Sequence, residues 1–189
     1  MSGLKPIRRA NGAPYMGDVT HYPVDPTNAT KIYAGDPVKL ASGYIVRAGG
    51  TAGEAFIGVF IGCEYKNSAA PGGYTISNHW NGVEPEAGAT VTAMVADGPD
   101  LIFEIEYTKA GGAAVPGDLG QTYTVSLGSG DDATGRSTAV LGTTSGTGPV
   151  FALPLTVAPH PSDPKIAGSA HTYRVQVTAA LHQLAGSAA

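Results

Sequence analysis

The chain of 189 residues carries a formal net charge of −4 and only 14% charged residues, against a usual share of about 25%. So sparse and weakly acidic a surface excludes the clustered Lys and Arg that neutralise phosphates, and no nucleic-acid partner is expected. Without an uncharged apolar stretch approaching ~18 residues no membrane span is expected, and a lone cysteine, Cys63, excludes an intrachain disulfide or a cysteine zinc cluster.

Residues 1–30 read as an extended N-terminal arm. Pro6, Pro14, Pro23 and Pro26 interrupt any helix, and no apolar periodicity begins before Ile32. Lys5, Arg8 and Arg9 make the tip basic in an acidic chain. Two readings stand side by side: a loosely held terminus, or an arm that orders on a partner through Tyr15, Met16, His21 and Tyr22. A secretory signal is not expected, because residues 1–9 lack an apolar core.

Residues 31–178 read as a β-rich body. The 27 glycines are about twice the usual share, and they fall between short apolar runs, where turns belong. Residues 38–40 and 44–47 predict a hairpin around Ala41-Ser42-Gly43. Residues 55–65 are almost continuously apolar, which predicts a strand covered on both faces, with Gly58 and Gly62 marking a bulge or a close approach. A surface loop follows over 66–73, then His79-Trp80-Asn81-Gly82 enters a turn. Residues 90–96 and 101–107 predict two strands joined by Asp97-Gly98-Pro99-Asp100. Further strands are expected over 119–127, 137–141, 150–157 and 173–178, separated by glycine- and serine-rich loops and a proline connector over 158–164. Residues 179–189 form a C-terminal tail. The pattern is all-β, a small barrel or sandwich.

Catalytic signatures are missing: no Gly-x-Ser-x-Gly elbow, phosphate loop or dinucleotide fingerprint occurs. No enzyme activity, cofactor or metal is therefore expected. His21, His79, His160, His171 and His182 never take the i, i+4 spacing of a helical metal site, although His160, inside the proline connector, and His171, just after it, could meet in space. Glu104 and Glu106 share one strand face about 6.6–7 Å apart, a separation found in inverting glycosidases. One strand face cannot flank a sugar ring on both sides, so a solvated face with Phe103, Ile105 and Tyr107 turned inward is favoured. Asp131-Asp132 lacks the spacing of a calcium loop and reads as a polar turn. Trp80 is either a sugar-stacking platform or, the favoured reading, a plug for the core or a subunit contact.

Gly35-Asp36-Pro37-Val38-Lys39-Leu40 followed by Gly43-Tyr44-Ile45-Val46-Arg47-Ala48 resembles the opening hairpin of head decoration (cement) proteins of tailed bacteriophages. Gly58-Val59-Phe60-Ile61-Gly62 is similar to the apolar strand that follows a glycine-rich loop in lambda-like members. Trp80, Ala93-Met94-Val95-Ala96-Asp97, Pro99, Phe103-Glu104 and Leu181-His182-Gln183-Leu184 extend the likeness. The chain departs from the smallest members in length, and residues 108–164 look like an insertion or second lobe.

The resemblance implies a β-tulip-like body and a homotrimer on three-fold axes of an expanded capsid. It implies localisation on the virion surface after synthesis in the host cytoplasm, with the major capsid protein as partner. Lys5, Arg8, Arg9, Tyr15 and Tyr22 of the arm would touch the capsid, and Trp80 a neighbouring subunit. The alternative is another virion β-module, a head fibre, tail or adhesion component that binds carbohydrate or a host surface.

Overall fold

The computed structural model describes residues 3–83, 86, 88–107, 120–144, 146–152 and 171–184. The fold is all-β, and among the described residues the regular structure besides strands amounts to single 3-10 turns at Pro71–Gly73 and Ala179–Leu181. In chain order the first nine strands are β1 (Lys5–Arg9), β2 (Thr20–Val24), β3 (Ile32–Tyr33), β4 (Pro37–Ala41), β5 (Tyr44–Arg47), β6 (Gly58–Lys66), β7 (Tyr74–Ser77), β8 (His79–Trp80) and β9 (Val91–Ala96). Five more follow among the described residues: β10 (Leu101–Tyr107), β11 (Thr122–Ser126), β12 (Val140–Thr144), β13 (Val150–Ala152) and β14 (His171–Val177).

The first sheet has the order β2-β9-β6-β4-β5, with β7 also paired to β6, and β3 and β8 form a separate two-stranded ladder. The expected hairpin is present. Ser42 and Gly43 both take positive φ, 52° and 85°, the geometry that lets a two-residue loop follow the strand twist. The expected bulge is present as well, since the β6–β9 register shifts between Phe60 and Gly62. The run from Gly58 to Cys63 of β6 is apolar, and both its faces are covered: Val59 packs into one core, Phe60 and Cys63 into the other.

The second sheet runs β1-β10-β12-β11-β13-β14, and β14 pairs back onto β10. The pairings of β10, β12, β11, β13 and β14 thus return to their start. Their closing contact between β10 and β12 is thin, a single parallel pair of Tyr107 with Leu141. Phe103, Ile105 and Tyr107 are buried while Glu104 and Glu106 are not, the alternation expected of a strand with one wet face. Tyr107 packs edge-on against Tyr123 and Tyr173, with ring centroids 5.6 and 5.2 Å apart.

Two stretches behave differently from their expectation. Within residues 1–30, expected to reach outward as an arm, β1 pairs antiparallel with β10 and β2 with β9 of the same chain. The prolines do forbid a helix, but both strands stand at the end of their sheet order, where a missing N–H is tolerated. Pro6 adjoins the register shift in β1. The second stretch is the expected insertion. Its described part supplies β11, β12 and β13, and Tyr123, Val125, Leu141 and Val150 are core residues beside Phe103 and Val175. It belongs to the body. The expected connector over 158–164, residues 108–119 and the tail beyond 184 lie outside the described residues.

Candidate interaction surface

The polar side chains of the body are largely turned on one another across the junction of the two sheets. Asp36 follows β3 and is fully buried. Its carboxylate lies 2.7 Å from Arg47 Nε and accepts from Arg47 Nη2 at 3.1 Å, Ser137 Oγ at 2.6 Å and the Tyr33 N–H at 2.9 Å. Arg47 also donates to the Gly128 carbonyl at 2.7 Å. Ser137 and Gly128 belong to the second-sheet half of the chain, so one carboxylate pins the two halves. The backbone closes the same seam: Gly3 N–H donates to Ala139 O, Leu4 N–H to Gly35 O and Val125 N–H to Gly50 O. Glycine is required at Gly50, where φ is 76° and a Cβ would run into the Val125 carbonyl.

A second polar group sits nearby on the surface. The Tyr33 hydroxyl donates to Asp132 Oδ1 at 2.6 Å and the Lys31 ammonium to Asp132 Oδ2 at 2.6 Å. Burial, and then the bond to Asp132, push the Tyr33 hydroxyl up to about 12, so it stays a donor. The His79 ring stacks on the Tyr33 ring at 5.8 Å. Asp131 caps its own turn, accepting from Ala133 N–H and Thr134 Oγ1, the polar turn expected of this loop. Among the described residues no group of three His, Cys, Asp or Glu side chains could hold a metal ion.

Of the residues singled out from the sequence, Arg9 and Tyr15 meet at Asp18, whereas Trp80 lies apart in the first core. Lys5 is exposed on β1, and Arg8 is half-buried. Arg9 is held by Asp18 at 2.7 Å and Asp100 at 2.8 Å. Tyr15 packs against the second core, and its hydroxyl donates to the Asp18 carbonyl at 2.9 Å. Tyr22 is half-buried and donates to Asp97 Oδ2 at 2.6 Å; burial and that bond both raise its pKa well above the usual tyrosine value. These contacts are all within the chain.

Trp80 is fully buried and is the largest such side chain. Its indole N–H donates to the Asn28 carbonyl at 3.0 Å, and Tyr65 meets it edge-on at 6.3 Å. It plugs the first core and presents nothing to a neighbouring subunit or a sugar. Glu104 pairs across the strand with Arg174, 3.7 Å away. His160 and the side chain of His171 lie outside the described residues, and His182 is buried at the end of the chain's last turn.

What the surface does offer is apolar. Met16 is 80% exposed, Ile76 75%, Tyr74 67% and Val83 64%. Tyr74 and Ile76 stand on the same face of β7, while Thr75 and Ser77 are half-buried on the other. Reading the sequence missed this strand, since alternation normally sends the apolar set inward; the Tyr-Thr-Ile-Ser alternation was its signal. A shallow depression of about 460 Å³ lies between the β4–β5 hairpin and the turn at Asp25, rimmed by Ser42 and Tyr44. Compared with protein-family models, with curated proteins and with solved structures, the chain finds no match in any of the three.

Proposed function

We propose that this chain is a structural component of a virion, a capsid decoration protein that binds the outside of an assembled phage head and clamps neighbouring major capsid subunits. The observation that carries the reading is the division of its side chains. Ionic groups such as Asp36, Arg47, Arg9 and Asp132 are spent on contacts within the chain, those of Asp36 and Asp132 across the seam between its halves. Large apolar groups, Met16, Tyr74, Ile76 and Val83, are left outside, where exposed apolar surface marks contact with another protein. A β body with exposed apolar side chains suits a clamp and needs no chemistry of its own.

Binding the assembled shell in preference to free subunits stabilises the shell by mass action. Many copies on one particle make weak single contacts effective. Because residues 5–9 and 20–24 are strands of the body, the clamp of this proposal is the body itself, with the exposed loop around Met16 as its forward edge. The competing idea of a sugar-binding module loses its stacking residue, since Trp80 is fully buried.

The test compares particles of the encoding phage made with and without this chain. Heating and chelator shock should disrupt the particles that lack it first, and adding the purified chain back should restore survival. Equal survival of both kinds of particle would remove the reinforcing role.

A further inference from the structure

The two sheets present several strand edges, and they are not equally guarded. An open edge pairs readily with another strand unless charges or proline block it. β1 carries Lys5, Pro6, Arg8 and Arg9, β2 carries Pro23, and β5 ends in Arg47. β7 reads Tyr-Thr-Ile-Ser, without charge or proline. It pairs with β6 on one side, and among the described residues no strand pairs with its other side.

We infer that β7 is a self-pairing edge: two copies of this chain join their β7 strands antiparallel about a two-fold axis centred on Thr75. The inference rests on the edge geometry alone and is independent of the capsid reading. A two-fold contact is isologous, so each residue meets its mirror position in the second copy. Opposite residues must also share a sheet face, which restricts the centre to Tyr74, Thr75 or Ile76.

Charge chooses among the three. Within one copy Lys66 lies across from Tyr74, and Glu64 across from Ile76. Centring on Tyr74 creates a row of Lys66, Tyr74, then Tyr74 and Lys66 of the second copy, with like charges at both ends. Centring on Ile76 does the same with two Glu64 side chains. Centring on Thr75 gives Lys66, Tyr74, then Ile76 and Glu64 of the second copy, opposite charges flanking an aromatic–aliphatic pair. The second row is its mirror image. Aromatic–aliphatic pairs across strands are favourable, and like charges in register are not. Thr75 then faces Thr75 of the second copy on the half-buried side.

The contact joins copies two at a time and differs from the three-fold contact that the phage resemblance implies. One four-residue strand makes a small interface, at the weak end of the range for protein pairs. A dimer that grows with concentration is therefore expected, measurable by sedimentation velocity.

Disulfide trapping reads the register. Residues directly opposite fall inside the Cα separation that a disulfide spans, whereas in the Thr75-centred register one Tyr74 lies about 8 Å from the other. Thr75→Cys alone should give a covalent dimer on mild oxidation. Tyr74→Cys and Ile76→Cys should each stay monomeric alone and cross-link when mixed. Native Cys63 will not interfere, because it is buried and its thiol is pushed up to about 12 by that burial. The mixed pair keeps the test valid if Thr75→Cys folds poorly. Ile76→Lys, on an exposed side chain, should abolish the concentration dependence and leave the thermal midpoint unchanged. A wild-type chain that stays monomeric at every concentration would overturn the inference. So would Tyr74→Cys or Ile76→Cys cross-linking alone as well as Thr75→Cys does.

Discussion

The first sheet and the second are built from the chain in opposite ways. The first takes all its strands from residues 20–96, and the tight turn at Ser42-Gly43 and the loop after Lys66 join sequence neighbours directly. The second collects strands from both ends: β1 from residues 5–9, and β10 to β14 from 101–177. Both sheets need long-range pairings, β2 with β9 in the first and β10 with β1 and β14 in the second, but only the second draws its strands from both sides of the other sheet's segment. The seam at Asp36 joins the two, linking residues 101 positions apart, Asp36 and Ser137. What the difference teaches is that the ends of this chain are structural, because β1 and β14 each cover an edge of β10.

The strongest way to break that comparison is to remove an end. Deleting residues 1–24 takes away β1 and β2, uncovers β10 and β9, and removes Leu4 and Val24 from the cores. The truncated chain is expected to be insoluble or unfolded, checked by circular dichroism and proteolysis. A folded, protease-resistant product would mean that the segment is an arm after all.

Next in size is the seam. Asp36→Ala leaves Arg47 buried without its carboxylate, a defect worth about 3–5 kcal/mol. Urea unfolding can be followed separately in each core, because the single tryptophan lies in the first and the Tyr107, Tyr123 and Tyr173 group in the second. The two signals should coincide in the wild-type chain and separate in Asp36→Ala. A loss below about 1 kcal/mol would show the pin to be dispensable.

Tyr22→Phe sharpens the picture at smaller scale. It removes the hydroxyl that reaches Asp97 from β2, and a hydrogen bond to a charged acceptor of this kind is worth about 1.5–3 kcal/mol. The unfolding midpoint should fall accordingly, with no separation of the two signals, because the contact lies within one half.

The smallest effect is a pH dependence at the far end of the chain. His182 is buried, its Nδ1 accepts from the Leu184 N–H, and Gln183 binds both backbone groups of Leu40. Burial holds the imidazole below its ordinary value of 6.5, against the opposing influence of Asp97. The folded chain therefore prefers the neutral ring. Its contribution to stability is complete above pH 6.5 and declines as the pH falls below that value. His182→Asn, which keeps an acceptor, should flatten the decline; an unchanged profile would assign it to the carboxylates.

How much of this was legible depended on whether a local pattern carried it. The Ser42-Gly43 turn, the bulge beside Gly62, the turn at Asp97–Asp100 and the inward set Phe103, Ile105 and Tyr107 could all be read from local pattern. β1 and β2 could not, because proline says only that a segment is neither helix nor central strand, and both remaining choices fit. β7 escaped notice because its apolar side chains face outward. The pin was invisible for another reason: nothing local in Gly35-Asp36-Pro37 points to Ser137, and only the closed fold brings them to 2.6 Å.

The central claim is that the body recognises an assembled shell, and direct binding tests it. Purified chain should be mixed with gene-deleted particles and, separately, with dissociated major capsid protein, then sedimented and imaged. The account predicts saturable decoration of the particles at regular surface sites and no comparable binding to free subunits. Binding to neither, or equal binding to both, would contradict it.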